Sequence, residues 1–176
     1  MRSLALASLA IICSTCTLSA EPPKVVEEFK GQVSSVTEGD MLQLMRDKET
    51  ITIRLEGIDA PEKNQSFGDK AKAALAAMTS GKTVTIKKTS ADKYGRIIGY
   101  VVADGVEVNA KLVEDGFAWH FKKYNDEKRF AELELQARQA KRGLWSEANP
   151  LPPWDYRALP KTPGASNPAA TATDRK

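Results

Sequence analysis

The chain has 176 residues, 41% of them hydrophobic and 28% charged, with a formal net charge of +3. That length suits one domain with tails, and the apolar fraction is enough to build a buried core. So small a positive excess fits a polyanionic partner without establishing one.

The first twenty residues read as a secretory signal. Arg2 precedes the apolar run LALASLAIIC, which is too short to span a bilayer, and TLSA supplies small residues for cleavage near Ala20. The expectation is a secreted or periplasmic protein with no stable membrane insertion. A buried N-terminal helix is one alternative, and a lipid anchor at Cys13 or Cys16 is another, although the residues before each make a poor lipobox. Both cysteines lie in this segment, so the mature chain has neither a disulfide nor a thiolate metal site.

Residues 21–29 form a short leader, and residues 30–149 carry the domain. GQVSSVT is the first strand and MLQLMR the second. TITIRLEGI alternates most clearly, with Ile51, Ile53 and Leu55 on one face and Thr52, Arg54 and Glu56 on the other. KTVTIKKT follows, then IIGYVVADGVEV, a hairpin turning at Asp104-Gly105. SFGDKAKAALAAMTSG, VNAKLVEDG and NDEKRFAELELQARQAKRG predict three helices. The last has acids in its first turn, bases in its last, an apolar stripe of Phe130, Leu133, Ala137 and Ala140, and Gly143 as its C-cap. Residues 150–176, rich in Pro, Ala, Thr and Ser, are expected to be mostly disordered. Trp154 and Tyr156 either pin the start of that tail or stand exposed. Five short strands and three helices, grouped rather than alternating, indicate an α+β fold or a small barrel with helices.

The stretch RLEGIDAPE, residues 54–62, carries more polar chemistry than a strand end needs. Pro61 stiffens it and biases Ala60 to an extended conformation, so Asp59 and Glu62 leave a rigid element in defined directions. Asp40 stands at the turn between the first two strands. Two aspartates from neighbouring strand ends can share a hard cation, and oxygen-only ligands suit Ca²⁺ or Mg²⁺ rather than zinc. In DKYGR, Lys93, Tyr94 and Arg96 occupy a turn just before a strand. Arg54 and Arg96 each offer a planar fork that matches phosphate oxygens.

Together EGDMLQL, IRLEGIDAPE, DKYGR and GLWSE, in order from about Gly31 to Glu147, resemble the thermonuclease (staphylococcal or micrococcal nuclease) family. The resemblance implies a five-stranded OB-fold barrel with three α-helices, acting as a monomer on DNA and RNA with Ca²⁺ and leaving 3′-phosphate ends. By the same resemblance Asp40, Asp59 and the carbonyl of Ala60 would hold the ion. Glu62 would serve as general base or orient the attacking water. Arg54 and Arg96 would bind the scissile phosphate, with Lys93 and Tyr94 near the bound nucleotide. Ala60 and Met41 depart from the family's best-known member, which has threonine at both positions.

His120, the only histidine, reads as a packing residue between Trp119 and Phe121. Trp119, Phe121 and Tyr124 lie where the family contacts bases, but core or surface packing explains them equally well. The rival reading is a non-catalytic OB-fold binding or scaffold module. Retention of the carboxylates and both arginines favours the enzyme.

Overall fold

The computed structural model describes residues 24–160. The expected signal segment and the end of the tail, residues 161–176, lie outside the described residues. No helix among the described residues is long and apolar enough to cross a membrane.

Strands β1 (Glu27–Glu38), β2 (Met41–Arg46) and β3 (Glu49–Leu55) form an antiparallel meander. β4 is the two-residue strand Ile58–Asp59, β5 runs Thr83–Ala91 and β6 runs Ile97–Ala103. β5 pairs with both β1 and β6, and β6 returns to β3 in parallel register, Ile53 opposite Ile97 and Leu55 opposite Gly99. That last pairing closes a five-stranded mixed barrel, the OB-fold architecture expected from the sequence. β7 (Val106–Glu107) extends β6 across the Asp104-Gly105 turn. Both turn residues have positive φ, as a two-residue hairpin turn requires.

The alternation seen in the sequence sorts side chains as expected. Leu42, Leu44, Ile53, Leu55, Val84 and Ile86 are all buried in one core. Each such side chain contributes about 2 kcal/mol from removal of its surface from water. Helix α1 (Gly68–Thr79) covers one side of the barrel through Ala71 and Leu75, and α2 (Val108–Glu114) buries Leu112 and Val113. Helix α3 (Lys128–Gln139) packs on α2 through Phe130.

The structure departs from the sequence reading in five places, four of them within the domain. β1 begins at Glu27, so the end of the expected leader is already strand, paired with β5 from Glu27 opposite Lys88. Helix α3 begins at Lys128, after Asp126 and Glu127, and the Glu127 carboxylate bonds Tyr100, Asn125 and Arg129. Its buried stripe holds Glu134 rather than Ala140, because Arg138 and Lys122 supply partners for that acid. Gly143 opens a short 3₁₀ turn instead of capping α3, and its φ is 54° where any Cβ would strike the Gly116 carbonyl.

The largest difference lies past residue 149. The chain continues in order to helix α4 (Pro153–Ala158). Trp154 packs against a second buried cluster of Trp119, Ala137, Leu144 and Trp145. The local signals for α4 are present in the sequence: proline at the start, Asp155 in the first turn and Arg157 in the last. The proline-rich composition outweighed them in the sequence reading.

Candidate active site

The site is built where two short connections meet. The β1–β2 turn carries Asp40, and the segment after β3 carries Glu56 to Glu62. They approach closely because residue 39 is glycine: a Cβ there would lie 2.8 Å from that of Ala60 and 2.7 Å from that of Ala71. The carbonyl of Asp40 accepts from Leu55 N–H at 2.9 Å, and its side-chain Oδ2 accepts from Ala60 N–H at 3.2 Å. Asp40 therefore ties the start of β2 to the chain just past Asp59. β4 places Asp59 opposite Trp119 of β8 (Trp119–His120), so a ladder holds its backbone as well.

Both acids are buried, Asp40 at 3% exposure and Asp59 at 1%. Arg54 bridges them. Its Nη2 is 3.2 Å from Asp40 Oδ2 and 3.1 Å from Asp59 Oδ1. Its position in β3, opposite Met41 in β2, puts the guanidinium directly over the Asp40 turn. Burial pushes the Asp40 carboxyl up to about 6; the Arg54 charge opposes that rise and the Asp59 charge adds to it. A pocket holding this much negative charge out of water stabilises a cation placed between the oxygens. The donors are carboxylates, and the one histidine turns its Nε2 to Asn125 at 3.0 Å. Such a set fits a hard divalent ion.

Glu62 lies on the loop between Ala60 and α1. Its N–H donates to Gln65 Oε1 at 3.0 Å, and its carbonyl accepts from Gln65 N–H at 2.9 Å. The loop then folds onto the start of α1 so tightly that a Cβ at Gly68 would fall 2.0 Å from the Glu62 carbonyl oxygen. The Glu62 side chain remains partly exposed and shares Arg157 with Asp59.

The structure brings Asp40, Arg54, Asp59, Ala60 and Glu62 together, and it places Arg96 nearby in a different pairing. Arg96 Nε donates to Asp92 Oδ2 at 2.6 Å, and its Nη1 lies 3.4 Å from the Met41 sulfur. Asp92 Oδ1 also accepts from the N–H groups of Tyr94 and Arg96, which fixes the turn. Lys93 and Tyr94 are exposed on that turn, and Tyr94 lies beneath both the Lys93 and the Arg96 cations. Phe121 and Tyr124 meet edge to face at 4.9 Å, with Tyr124 exposed, while Trp119 is buried against Trp145. His120 packs against Phe130, in line with the structural role read from the sequence.

Three residues were missed or left without a role. Glu56 accepts a hydrogen bond from Thr89 at 2.9 Å and gives its carbonyl to Asn109. Asn109 also accepts from Val101 N–H at 2.9 Å, so one buried amide braces the corner that precedes Asp59. Arg157 reaches in from α4 to pair with Asp59 and Glu62. Nothing in the local pattern around Asn109 or Arg157 marks those contacts.

A family model described as staphylococcal nuclease homologue matches residues 52–147. That span includes Arg54, Asp59, Ala60, Glu62 and Arg96, while Asp40 lies upstream of it. The chain is 42% identical over 136 residues to an uncharacterized endonuclease of Escherichia coli, covering 77% of this chain and 89% of the relative. It is 33% identical over 168 residues to a micrococcal nuclease of Shigella flexneri, covering 89% and 96%. A probable staphylococcal-like nuclease of Oryza sativa subsp. japonica is 40% identical over 105 residues, covering 60% of this chain and 28% of that one.

Proposed function

The chain belongs to the staphylococcal nuclease family, and from that premise we propose that it is an exported, Ca²⁺-dependent phosphodiesterase that hydrolyses DNA and RNA to 3′-phosphate ends. The observation that carries this reading is the buried Asp40–Asp59 pair, bridged by Arg54 and flanked by Glu62. A module that only bound nucleic acid would gain nothing from two carboxylates held out of water, since like charges there are costly and repel phosphate.

Asp40, Asp59 and the carbonyl of Ala60 would hold the ion, and when bound it supplies positive charge to the phosphate and to a water near it. The other tasks fall to the chain's own side chains. Glu62 takes a proton from the attacking water and holds that water in line with the bond to be broken. The water oxygen bonds to phosphorus, the bond to the 5′ oxygen breaks, and that oxygen takes up a proton as it leaves. The transition state carries more negative charge on phosphorus oxygens than the diester does. Arg54 and Arg96 present forks to that added charge and stabilise it more than the ground state. Arg96 must first turn from Asp92, with which it forms a part-buried pair. Lys93 and Tyr94, on the same turn, meet the adjoining nucleotide.

Export follows cleavage near Ala20, and the protein works as a monomer. The test is direct. Plasmid DNA and a single-stranded RNA are incubated with the protein in Ca²⁺, and then with a chelator. Cleavage in Ca²⁺ that the chelator abolishes, with phosphate on the 3′ ends, is the expected result. No Ca²⁺-dependent cleavage at micromolar protein would exclude the enzyme.

A further inference from the structure

Arg157 takes no part in the chemistry above, yet it pairs with Asp59 more closely than Arg54 does. Its Nη2 lies 2.7 Å from Asp59 Oδ2, and its Nη1 lies 3.2 Å from Asp59 Oδ1 and 2.6 Å from Glu62 Oε1. We propose that Arg157 is a resident counter-cation of Asp59 and Glu62, delivered by α4 as a strap, and that a divalent ion must displace it to bind. This rests on the reading of Asp40 and Asp59 as a metal site and adds to it a built-in competitor.

The first argument is the occupancy of Asp59. A carboxylate has about four lone-pair sites. Arg54 Nη2 and Arg157 Nη1 both lie on Oδ1, and Arg157 Nη2 lies on Oδ2. An incoming Ca²⁺ needs carboxylate oxygens at about 2.3–2.6 Å, and three of the lone-pair sites on Asp59 already face guanidinium nitrogens. A divalent ion added beside both arginines on this buried carboxylate would meet their combined repulsion, which the departure of one arginine relieves.

Exposure decides which arginine yields. The Arg54 side chain is 20% exposed and comes from a barrel strand. The Arg157 side chain is 41% exposed and comes from a six-residue helix near the end of the described chain. Arg157 can leave with its short helix, whereas Arg54 stands on a strand paired on both sides, opposite Met41 and Ile98, and cannot move away with its element.

The second argument is how α4 is held. The Trp154 ring stacks on Phe121 with centroids 5.5 Å apart and meets Trp119 edge-on at 5.6 Å. Tyr156 Oη donates to the Asn64 carbonyl at 2.9 Å, and Gln65 Nε2 donates to the Leu151 carbonyl at 2.6 Å. The strap is thus fastened both to the loop that carries Glu62 and to Phe121. Its release would free Glu62 from Arg157 and uncover Phe121 in the same movement.

The test is Ca²⁺ binding by calorimetry on the full chain, with no substrate present. Asp59→Asn serves as the control for the site and should lose binding. Arg157→Gln should bind Ca²⁺ roughly tenfold more tightly, the factor expected if the strap is closed about nine-tenths of the time. Trp154→Ala, which touches neither carboxylate, should tighten binding in the same direction by loosening the strap. Adding Ca²⁺ to the unaltered chain should speed amide exchange across residues 153–158. A purely structural Arg157 would leave the affinity unchanged or weaken it. Equal or weaker binding by both Arg157→Gln and Trp154→Ala, or an α4 that stays protected in saturating Ca²⁺, would overturn the strap. If Asp59→Asn binds as well as the unaltered chain does, or if neither binds, the metal reading falls and the strap falls with it.

Discussion

Asp40 and Asp59 share one guanidinium nitrogen, Nη2 of Arg54, at 3.2 and 3.1 Å. Two acids from different strand ends are thereby held side by side, out of water, by a guanidinium they share, while Arg157 pairs with Asp59 and Glu62. Three carboxylates thus face two guanidiniums, and most of what can be tested about the site follows from that.

Arg54→Met removes the bridge while keeping most of the side-chain volume. It leaves two buried carboxylates facing each other, with only Arg157 to offset Asp59. The expected cost is about 3 kcal/mol of unfolding free energy. Urea denaturation measures it, and Ca²⁺ should restore part of the loss by mass action on the folded state. A cost below about 1 kcal/mol would mean that the pair is well solvated.

Glu62→Gln keeps the shape of the side chain and removes the base. Turnover should fall by about two to three orders of magnitude, the typical effect of losing one group that acts on the transition state. Nucleotide binding should be nearly unchanged. Single-turnover cleavage alongside a fluorescence titration separates the two, and a matching loss of binding would show that Glu62 does not act on the attacking water.

The Asp40 carboxyl gives the metal-free protein a defined pH dependence. Its folded value is pushed up to about 6, chiefly by burial, from an ordinary 3.8. Between these values the folded chain holds a proton that the unfolded chain has lost. The contribution is therefore fully present below the unfolded value and is lost as pH rises through about 6. Asp40→Asn removes this dependence. The stability of the parent relative to this variant should fall by up to about 3 kcal/mol between pH 4 and pH 7.5 in the presence of chelator. Thermal unfolding at the two pH values decides it, and a difference that grows with pH has the wrong sign.

Asn109→Ala tests the brace behind the site. The amide satisfies Val101 N–H and the carbonyls of Glu56 and Gly99 in a fully buried setting. Removing it strands these groups, at an expected cost of about 3 kcal/mol. Chemical denaturation gives the figure, and a loss under about 1 kcal/mol would mean that water replaces the amide.

The sequence reading reached the barrel because strand faces and hairpin turns are local. Alternation assigns Ile53 and Leu55 to the core and Arg54 to the other side, and Asp104-Gly105 carries its own turn preference. The acidic cluster was legible for a similar reason: Arg54, Asp59, Ala60 and Glu62 lie within one short stiff segment. Asp40 joined them through its place at a strand-to-strand turn. The start of α3 was misjudged because its acids are used elsewhere, Glu127 by Tyr100 and Arg129. Glu134 was missed because a charged residue on a helix normally faces water.

By itself, then, the sequence determined the kinds of element, which strand faces are apolar, and which short segment holds the oxygen donors, since each of these depends on neighbours a few residues apart. Tertiary structure alone decided that Arg96 rests on Asp92, that Asn109 braces the corner at Glu56, and that Arg157 crosses 98 positions of chain to reach Asp59. Such pairings are selected by closure of the barrel and by the partnering that buried charge demands, and no periodicity in the chain records which distant residue will meet that demand.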